Sequence, residues 1–145
     1  VKDLDFGRRP ITIRDGKGEK DRAVPLPRRL SPHLQKQVEF ESQQHALDVE
    51  SGAGWVWLPY AFDRKDPNAG RSLIWQYLFP SNNLSRDLRP REVNGQLVDQ
   101  SSQLRRHHVN QRSIQKAVKL AAASAEIHKR VTCHTRRHSF ATHLL

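Results

Sequence analysis

Near one end of the chain, His134, Arg137 and His138 have the spacing of a single helical face. Residues three and four positions apart lie side by side on a helix, and the small side chain of Ala141 leaves room beside them. A guanidinium group donates two parallel hydrogen bonds to phosphate oxygens, and an imidazole donates one or transfers a proton. The spacing therefore predicts a clamp for a phosphate group.

Two other interpretations of this helical face stay open from the residues alone. An isolated His-x-x-Arg pattern is more often part of a solvated polar surface. His134 and His138 also have the helical spacing of metal ligands, but Thr135 stands where a metalloprotease motif has Glu. Cys133 is expected to point away from this face. A metal site is therefore the weakest of the three interpretations.

The helices that would position these residues begin at recognisable caps. Thr132 can cap a helix from Cys133 onward, and Asn110 can cap one over about 111–125. Ser31-Pro32 is a typical opening for a helix to about Glu50, which Gly52 and Gly54 would end. The side chains expected on buried faces are Leu34, Val38 and Ala46 or Leu47, then Ile114, Ala117, Val118, Ala121 and Ala125, then Cys133, Phe140 and Leu144. Arg136, at the edge of the last of these faces, would be a local misfit because burial of an unpaired charge is unfavourable.

Short strands are expected ahead of the first helix. Leu4–Phe6, Ile11–Arg14 and Ala23–Leu26 would form a small antiparallel sheet, with Lys17 at the tip of a turn that contains two glycines. A short helix is expected from Pro67 to about Tyr77. Residues 81–103 are polar and poorly patterned, which predicts a long, mobile loop.

The composition favours a polyanionic partner. The 145 residues include 25 Lys and Arg against 15 Asp and Glu, a formal charge of +10, which favours nucleic acid first and an anionic membrane surface second. The alternative is that the charge only keeps the domain in solution. No apolar run approaches the ~18 residues of a membrane span, and the single Cys133 indicates a cytosolic setting. With no Met at position 1 and Leu145 inside an expected helix, we expect one domain that is an internal piece of a longer protein.

Two regions of the chain resemble conserved boxes of the tyrosine recombinases. Residues 134–145, HTRRHSFATHLL, closely resemble the second box, whose pattern is His-x-Leu-Arg-His-x-Phe-Ala-Thr-His. Residues 15–22, DGKGEKDR, followed by Val24-Pro25-Leu26, resemble the β-hairpin with the catalytic Lys. The middle of the chain is similar to the additional segment of integron integrases, at LPYA (58–61), RKDPNA (64–69), WQYLFPS (75–81) and RRHH (105–108).

This resemblance implies a fold that is mainly α with a small antiparallel β-sheet, an α+β class. Residues 1–145 would be a partial catalytic domain, truncated at both ends, with the integron-specific insertion at about 55–108. The implied reaction is DNA strand cleavage by a Tyr hydroxyl through a 3′-phosphotyrosyl intermediate, followed by rejoining. Arg137 would be the second catalytic Arg, His134 the box His and Lys17 the general acid, with no metal or other cofactor required.

The resemblance also implies a DNA partner, including folded single-stranded hairpins with bases flipped out. Aromatic and imidazole rings stack on such bases, and Trp75, His107 and His108 match the extrahelical-base contacts of the family. The remaining residues expected to bind DNA are Arg105, Arg106, Lys20 and Arg22. For the full-length protein the resemblance implies a homotetramer on DNA in the bacterial cytoplasm, associated with the nucleoid and not with a membrane.

Several departures from the family pattern are visible. The first catalytic Arg is expected before Val1 and the nucleophilic Tyr after Leu145, so we expect this piece to be catalytically incomplete. Arg136 replaces a core Leu, Leu88 stands where a base-contacting Pro is usual, and the segment before His107 is about ten residues longer than is usual. The alternative function is a basic nucleic-acid-binding domain without catalysis.

Overall fold

The structure is a computed structural model that describes residues 1–16, 18–58, 62–86, 91–93, 96–98 and 104–143. The chain divides into two compact units, Val1–His108 and Val109–Leu145. Helices combine with short antiparallel strands, so the α+β class expected from the sequence is confirmed. The strands and α-helices, in chain order, are β1 (Pro10–Ile13), β2 (Arg22–Pro25), α1 (Ser31–Glu50), α2 (Phe62–Lys65), β3 (Pro80–Arg86), β4 (Arg91–Val93), β5 (Gln96–Val98), β6 (Leu104–His108), α3 (Gln111–Ser124) and α4 (Cys133–Thr142).

The strands form three two-stranded antiparallel sheets, β1 with β2, β3 with β6 and β4 with β5. The first is the expected hairpin, in which Ile13 pairs with Arg22 and Pro10 with Pro25. The expected strand Leu4–Phe6 was wrong, because only Leu4 pairs, through an isolated bridge to Ile11. The single helix expected from Pro67 to about Tyr77 is also wrong. The structure has two 3-10 turns there, Ala69–Arg71 and Leu73–Trp75, and the short helix α2 lies before them.

Helix α1 has the predicted bounds, but its N-cap is Leu30, without a side-chain hydrogen bond, and not Ser31 as expected. It also buries a different face. It ends before Gly52 and Gly54, which both have a φ of 81° that other residues rarely adopt. Leu34 and Val38 are half-buried as expected, whereas Leu47 is 60% exposed and Ala46 is exposed too. The buried positions of α1 are Glu41 and Asp48, which lie about two helical turns apart on the same side. The inward face is therefore polar, and periodicity of apolar residues alone could not identify it.

The expected loop at 81–103 was wrong, because β3, β4 and β5 occupy much of it. Polar residues such as Asn82, Asn83 and Ser85 lie in β3, where backbone pairing with β6 does not require apolar side chains. The register of this pair jumps between Pro80↔His108 and Leu84↔Arg106. Three residues of β3 therefore face one residue of β6, which makes a bulge larger than the usual two residues against one. Leu88 lies outside the described residues.

The two helices of the second unit start where their caps predicted. Asn110 accepts a hydrogen bond from Arg112 N at the start of α3, and Thr132 forms a reciprocal capping box with Thr135 at the start of α4. The apolar faces are less buried than expected, since Ile114 is 48% and Phe140 49% exposed. Of the residues expected on the α3 face, Val118 alone is half-buried and the others are exposed. Cys133 is also exposed.

Arg136 is exposed on α4, so the expected misfit with an apolar surface does not occur within this chain. Its charged group remains in solvent, where it carries no desolvation penalty.

The first unit has a small apolar centre. Val56, Leu58 and Ala69 form its buried cluster, and Trp75 and Tyr77 pack against it. Among the described residues, the buried polar side chains are as prominent as the apolar ones: Glu41, Asp48, Gln76 and Arg105. Hydrogen bonds between side chains and backbone therefore contribute much of what holds this unit together.

Candidate DNA-binding and catalytic site

The β1–β2 hairpin, expected to carry the general acid, is organised by Asp21. Its carboxylate accepts a hydrogen bond from Asp15 N at 3.1 Å and pairs with Arg14 Nη1 at 3.3 Å, which closes the turn. Arg14 Nε also lies 2.7 Å from Asp3 Oδ1. Lys17 lies outside the described residues, so its position stays a prediction. Lys20 and Arg22 are exposed at the base of the turn, as a contact with DNA requires.

Helix α4 presents the expected phosphate-binding residues to solvent. His134, Arg137 and His138 are all exposed, and their spacing puts them on one side of the helix. His134 also lines a cleft of about 420 Å³ in the second unit, with Lys119 and Arg130. Cys133 lines the same cleft.

Trp75 lies in the wall of a second cleft, of about 390 Å³, in the first unit. Lys2 Nζ is 3.3 Å from the centroid of the Trp75 ring, and the Phe62 ring is 4.8 Å away in a tilted arrangement. Partial burial lowers the pKa of Lys2, and the charge of Arg14 adds to this effect. Trp57, 44% exposed, and Tyr77 also line the cleft. Trp75 therefore serves both the apolar centre and an accessible aromatic wall.

Gln76 holds the loop that carries Trp75, a role that the sequence did not suggest. It is 3% exposed, and its Nε2 lies 3.1 Å from Gly54 O, 3.0 Å from Gly70 O and 3.4 Å from Ser72 O. Gly70 O also accepts from Val56 N and Ser72 O from Trp75 N, so the amide of Gln76 adds a second hydrogen bond to these two carbonyls and also bonds to Gly54 O. The amide thus connects the end of α1 to both 3-10 turns.

The adjacent arginines of β6, both expected to bind DNA, are largely buried. Arg105 is 5% exposed. Arg106 forms a two-pronged ion pair with Asp48, with Nε 2.6 Å from Oδ2 and Nη2 2.7 Å from Oδ1. Its Nη1 donates to Ser81 O and Asn82 O, each at 2.8 Å. This geometry favours a structural role for Arg106. Direct DNA contacts by Arg105 and Arg106 stay a prediction.

Burial and charge shift two carboxyl groups of α1 in opposite directions. Burial would raise the pKa of Asp48, but the hydrogen bonds and charge of Arg106 and a hydrogen bond from Gln44 lower it below its usual value. Burial raises the pKa of Glu41 to about 7, and the nearby charge of Asp48 adds to this rise. Glu41 Oε2 has no hydrogen-bond partner among the described residues.

The two histidines after Arg106 differ in exposure. His107 is half-buried, whereas His108 is exposed and its ring meets Tyr77 edge-on at 5.3 Å between centroids. Tyr77 also lines the cleft beside Trp75. The first unit thus brings His108 close to the aromatic cleft, while the second unit brings His134 and Arg137 onto one helix.

Two further observations bear on the kind of site. Within the ranges that the structure describes, no three His, Cys, Asp or Glu side chains gather closely enough to hold a metal ion. In the same ranges, no helix has both the length and the apolar character that a bilayer crossing requires.

Comparison with known proteins places the chain in a family. The model of the phage integrase family matches residues 1–145. Proteins named Integrase/recombinase from Escherichia coli and from Pseudomonas aeruginosa are each 42% identical to this chain over 145 residues. These alignments cover 100% of this chain but 40% of each relative, so the chain spans less than half of their length. A match along every residue, with the His-Arg box on a capped and exposed helix, shows that this chain belongs to the phage integrase family.

Proposed function

We propose that this chain is part of an integron-type tyrosine recombinase, which cleaves and rejoins DNA strands at specific sites. The observation that carries the proposal is the placement of His134 and Arg137 on the exposed face of α4. This pair occurs in a chain that is 42% identical to integrase/recombinase proteins throughout its length. A solvated polar face without a ligand would not account for both facts together.

In the proposed reaction, a Tyr hydroxyl expected beyond Leu145 attacks a backbone phosphorus, and the bond from phosphorus to the 5′ oxygen breaks. Arg137 and His134 donate hydrogen bonds to the non-bridging oxygens as their negative charge grows. Lys17 gives a proton to the departing 5′ oxygen. A 5′ hydroxyl of the partner strand then attacks the phosphotyrosyl link and releases the Tyr. Phosphodiester bonds are conserved, so no external energy source is needed.

The proposed substrate is a folded single-stranded DNA hairpin with unpaired bases. The cleft beside Trp75 and the Tyr77–His108 pair offer ring faces and edges for such bases. Lys20 and Arg22 would contact backbone phosphates. We also propose that the full-length protein assembles as a homotetramer on DNA in the bacterial cytoplasm.

Covalent capture tests the reaction. The full-length protein is incubated with labelled hairpin DNA and run on a denaturing gel. A band retarded by the mass of the protein is expected, and it should disappear when the proposed nucleophilic Tyr is replaced by Phe. If a well-folded sample gives no such band, the recombinase proposal fails, and a binding module without chemistry takes its place.

Trp75→Ala tests the substrate class. The wild-type chain should bind a hairpin with one unpaired base more tightly than its fully paired counterpart, since stacking of one base contributes ~1–3 kcal/mol, roughly 5- to 150-fold in Kd. Trp75→Ala should remove most of this preference and leave binding to the paired hairpin unchanged. Fluorescence anisotropy with the two hairpins measures both affinities.

Phe40→Ala is the matched control, because Phe40 is an exposed aromatic on α1 that does not line the cleft. It should retain the preference. Equal wild-type affinities for both hairpins, with log K falling linearly against log salt, would instead indicate binding to the phosphate backbone alone.

A further inference from the structure

We propose that Asp48 and Arg106 are a positioning pair that sets the preference of this protein for DNA with an unpaired base. The inference rests on the proposed function. It gives Arg106 an indirect role, in place of the direct phosphate contact that the sequence suggested.

The ion pair connects α1 to the two-stranded sheet of β3 and β6. Both side chains are largely buried, at 10% exposed for Arg106 and 7% for Asp48. All three guanidinium nitrogens of Arg106 donate to described acceptors, Nε and Nη2 to Asp48 and Nη1 to two backbone carbonyls. A guanidinium that is buried and paired in this way has no free face for a phosphate, so its role is to hold the β3–β6 sheet against α1.

The same guanidinium stabilises the bulge in β3. Ser81 and Asn82 lie in the stretch where the register jumps, so the regular ladder does not continue there. Their carbonyl oxygens accept hydrogen bonds from Arg106 Nη1. The side chain of Arg106 therefore holds both the bulge in β3 and the position of the β3–β6 sheet against α1. Lys could supply the charge, but it lacks the planar arrangement of five N–H groups that makes these bonds together.

Other polar side chains of α1 hold the segment that carries the aromatic residues. His45 Nε2 lies 2.8 Å from Arg71 O, and Gln37 Nε2 donates to Leu78 O at 3.0 Å. These two attachments lie on either side of Trp75 and Tyr77. Together with the Asp48–Arg106 pair, these hydrogen bonds attach the segments that carry Trp75, Tyr77 and His108 to the inward, polar face of α1.

The bulge lies directly beside the rings expected to bind the base. Pro80, at the start of the bulge, pairs with His108, and the His108 ring contacts Tyr77. A change in the bulge therefore moves His108 relative to the cleft that Trp75 and Tyr77 line. The pair would thus govern recognition of the unpaired base and leave general attraction to the phosphate backbone unaffected.

Arg106→Lys tests this role because it keeps the charge and removes the geometry. Kd values are measured for the bulged and the paired hairpin at several salt concentrations. The variant should bind the paired hairpin with the wild-type affinity and salt slope. Its preference for the bulged hairpin should fall by about fivefold or more, the equivalent of one lost stacking contact. Arg86→Lys, the same change at an exposed position of β3, is the matched control and should alter neither value.

A double-mutant cycle separates positioning from a general loss of stability. If Arg106 acts through the base-binding cleft, adding Arg106→Lys to Trp75→Ala should not lower the preference further. Multiplicative effects of the two changes would overturn the proposal. So would retention of the preference by a folded Arg106→Lys protein. Absence of any preference in the wild-type protein would instead contradict the proposed substrate class, and the inference would fail with it.

If Arg106→Lys loses its native tryptophan fluorescence, hydrogen–deuterium exchange on the wild-type protein decides the question. Amides of β3 and β6 should gain protection when the bulged hairpin binds and not when the paired hairpin binds. Identical exchange of these amides in the two complexes would overturn the proposal.

Discussion

Asp48→Ala should lower the free energy of unfolding of the first unit by about 3–5 kcal/mol, the typical penalty for leaving one partner of a buried ion pair without its counter-charge. The variant leaves the guanidinium of Arg106 in a site where its side chain is only 10% exposed. It also removes a hydrogen bond from Gln44 Nε2, 3.2 Å from Asp48 Oδ1. Urea unfolding followed by tryptophan fluorescence measures the change, because all three tryptophans lie in the unit Val1–His108.

Asp3→Ala is the matched control for this prediction. Asp3 is 2.7 Å from Arg14, a distance close to that of the buried pair, but the two side chains are 35% and 50% exposed. Exposed pairs of this kind contribute about 0–1 kcal/mol, so this variant should unfold nearly as the wild type does. Similar losses for Asp3→Ala and Asp48→Ala would show that burial does not set the strength of the pair. Replacing Asp48 and Arg106 together by Met should recover part of the loss, because no charge then stays buried.

Glu41→Gln should stabilise the protein above neutral pH and make its stability less dependent on pH. Burial and the charge of Asp48 raise the pKa of Glu41 from 4.5 in the unfolded chain to about 7 in the folded one. Between these values the folded state binds a proton more tightly, so stability falls as pH rises through this window. Above the upper value the charged carboxylate is buried at its full penalty. Gln has nearly the same shape and no charge, so the gain there should be on the order of 1–3 kcal/mol.

Urea midpoints between pH 5 and pH 8 measure this effect, and the wild type and Glu41→Gln should converge at the acid end. The pKa of Asp48 lies below its usual value, so the stability that this group contributes is lost only as pH falls below the measured window. Glu39→Gln makes the same change at an exposed position of α1 and should follow the wild-type curve. Parallel curves for Glu41→Gln and the wild type would contradict the assigned pKa.

Caps and turns were the parts of the fold that the sequence predicted best. Asn110 and Thr132 each cap a helix where expected, because a cap depends on residues within one turn of it. Helix α1 also begins at Ser31-Pro32 as expected, although Ser31 does not cap it. The β1–β2 hairpin followed from a short glycine-containing turn. The dipeptide Asn94-Gly95, between β4 and β5, is typical of a hairpin turn. The polar composition of residues 81–103 predicted a loop there instead.

The buried face of α1 could not be predicted in the same way. Leu47 has the side chain expected inside, yet Asp48 is inside because it pairs with Arg106, 58 positions away. A carboxylate becomes an interior residue only when a cation from elsewhere in the chain reaches it, and local periodicity carries no information about that cation. The same pairing holds Arg106, which was expected among the DNA contacts, and its direct contact with DNA stays a prediction.

The candidate catalytic residues were identified from spacing and resemblance, and the structure adds the exposure of His134 and Arg137 and the capped helix that carries them. The aromatic cleft was less predictable. Trp75 was expected to contact bases, but its contact with Lys2 and the support of its loop by Gln76 depend on segments that are distant in sequence.

The interior pairing of Asp48 with Arg106 also restrains how the gene can drift. A substitution that removes the charge at one position alone leaves the charge of its partner buried and unpaired. A matching substitution at the other position, or reversion of the first, removes this penalty. Related sequences should therefore change the two positions together. Such linked substitutions would mark relatives in which the β3–β6 sheet is held against α1 by other contacts.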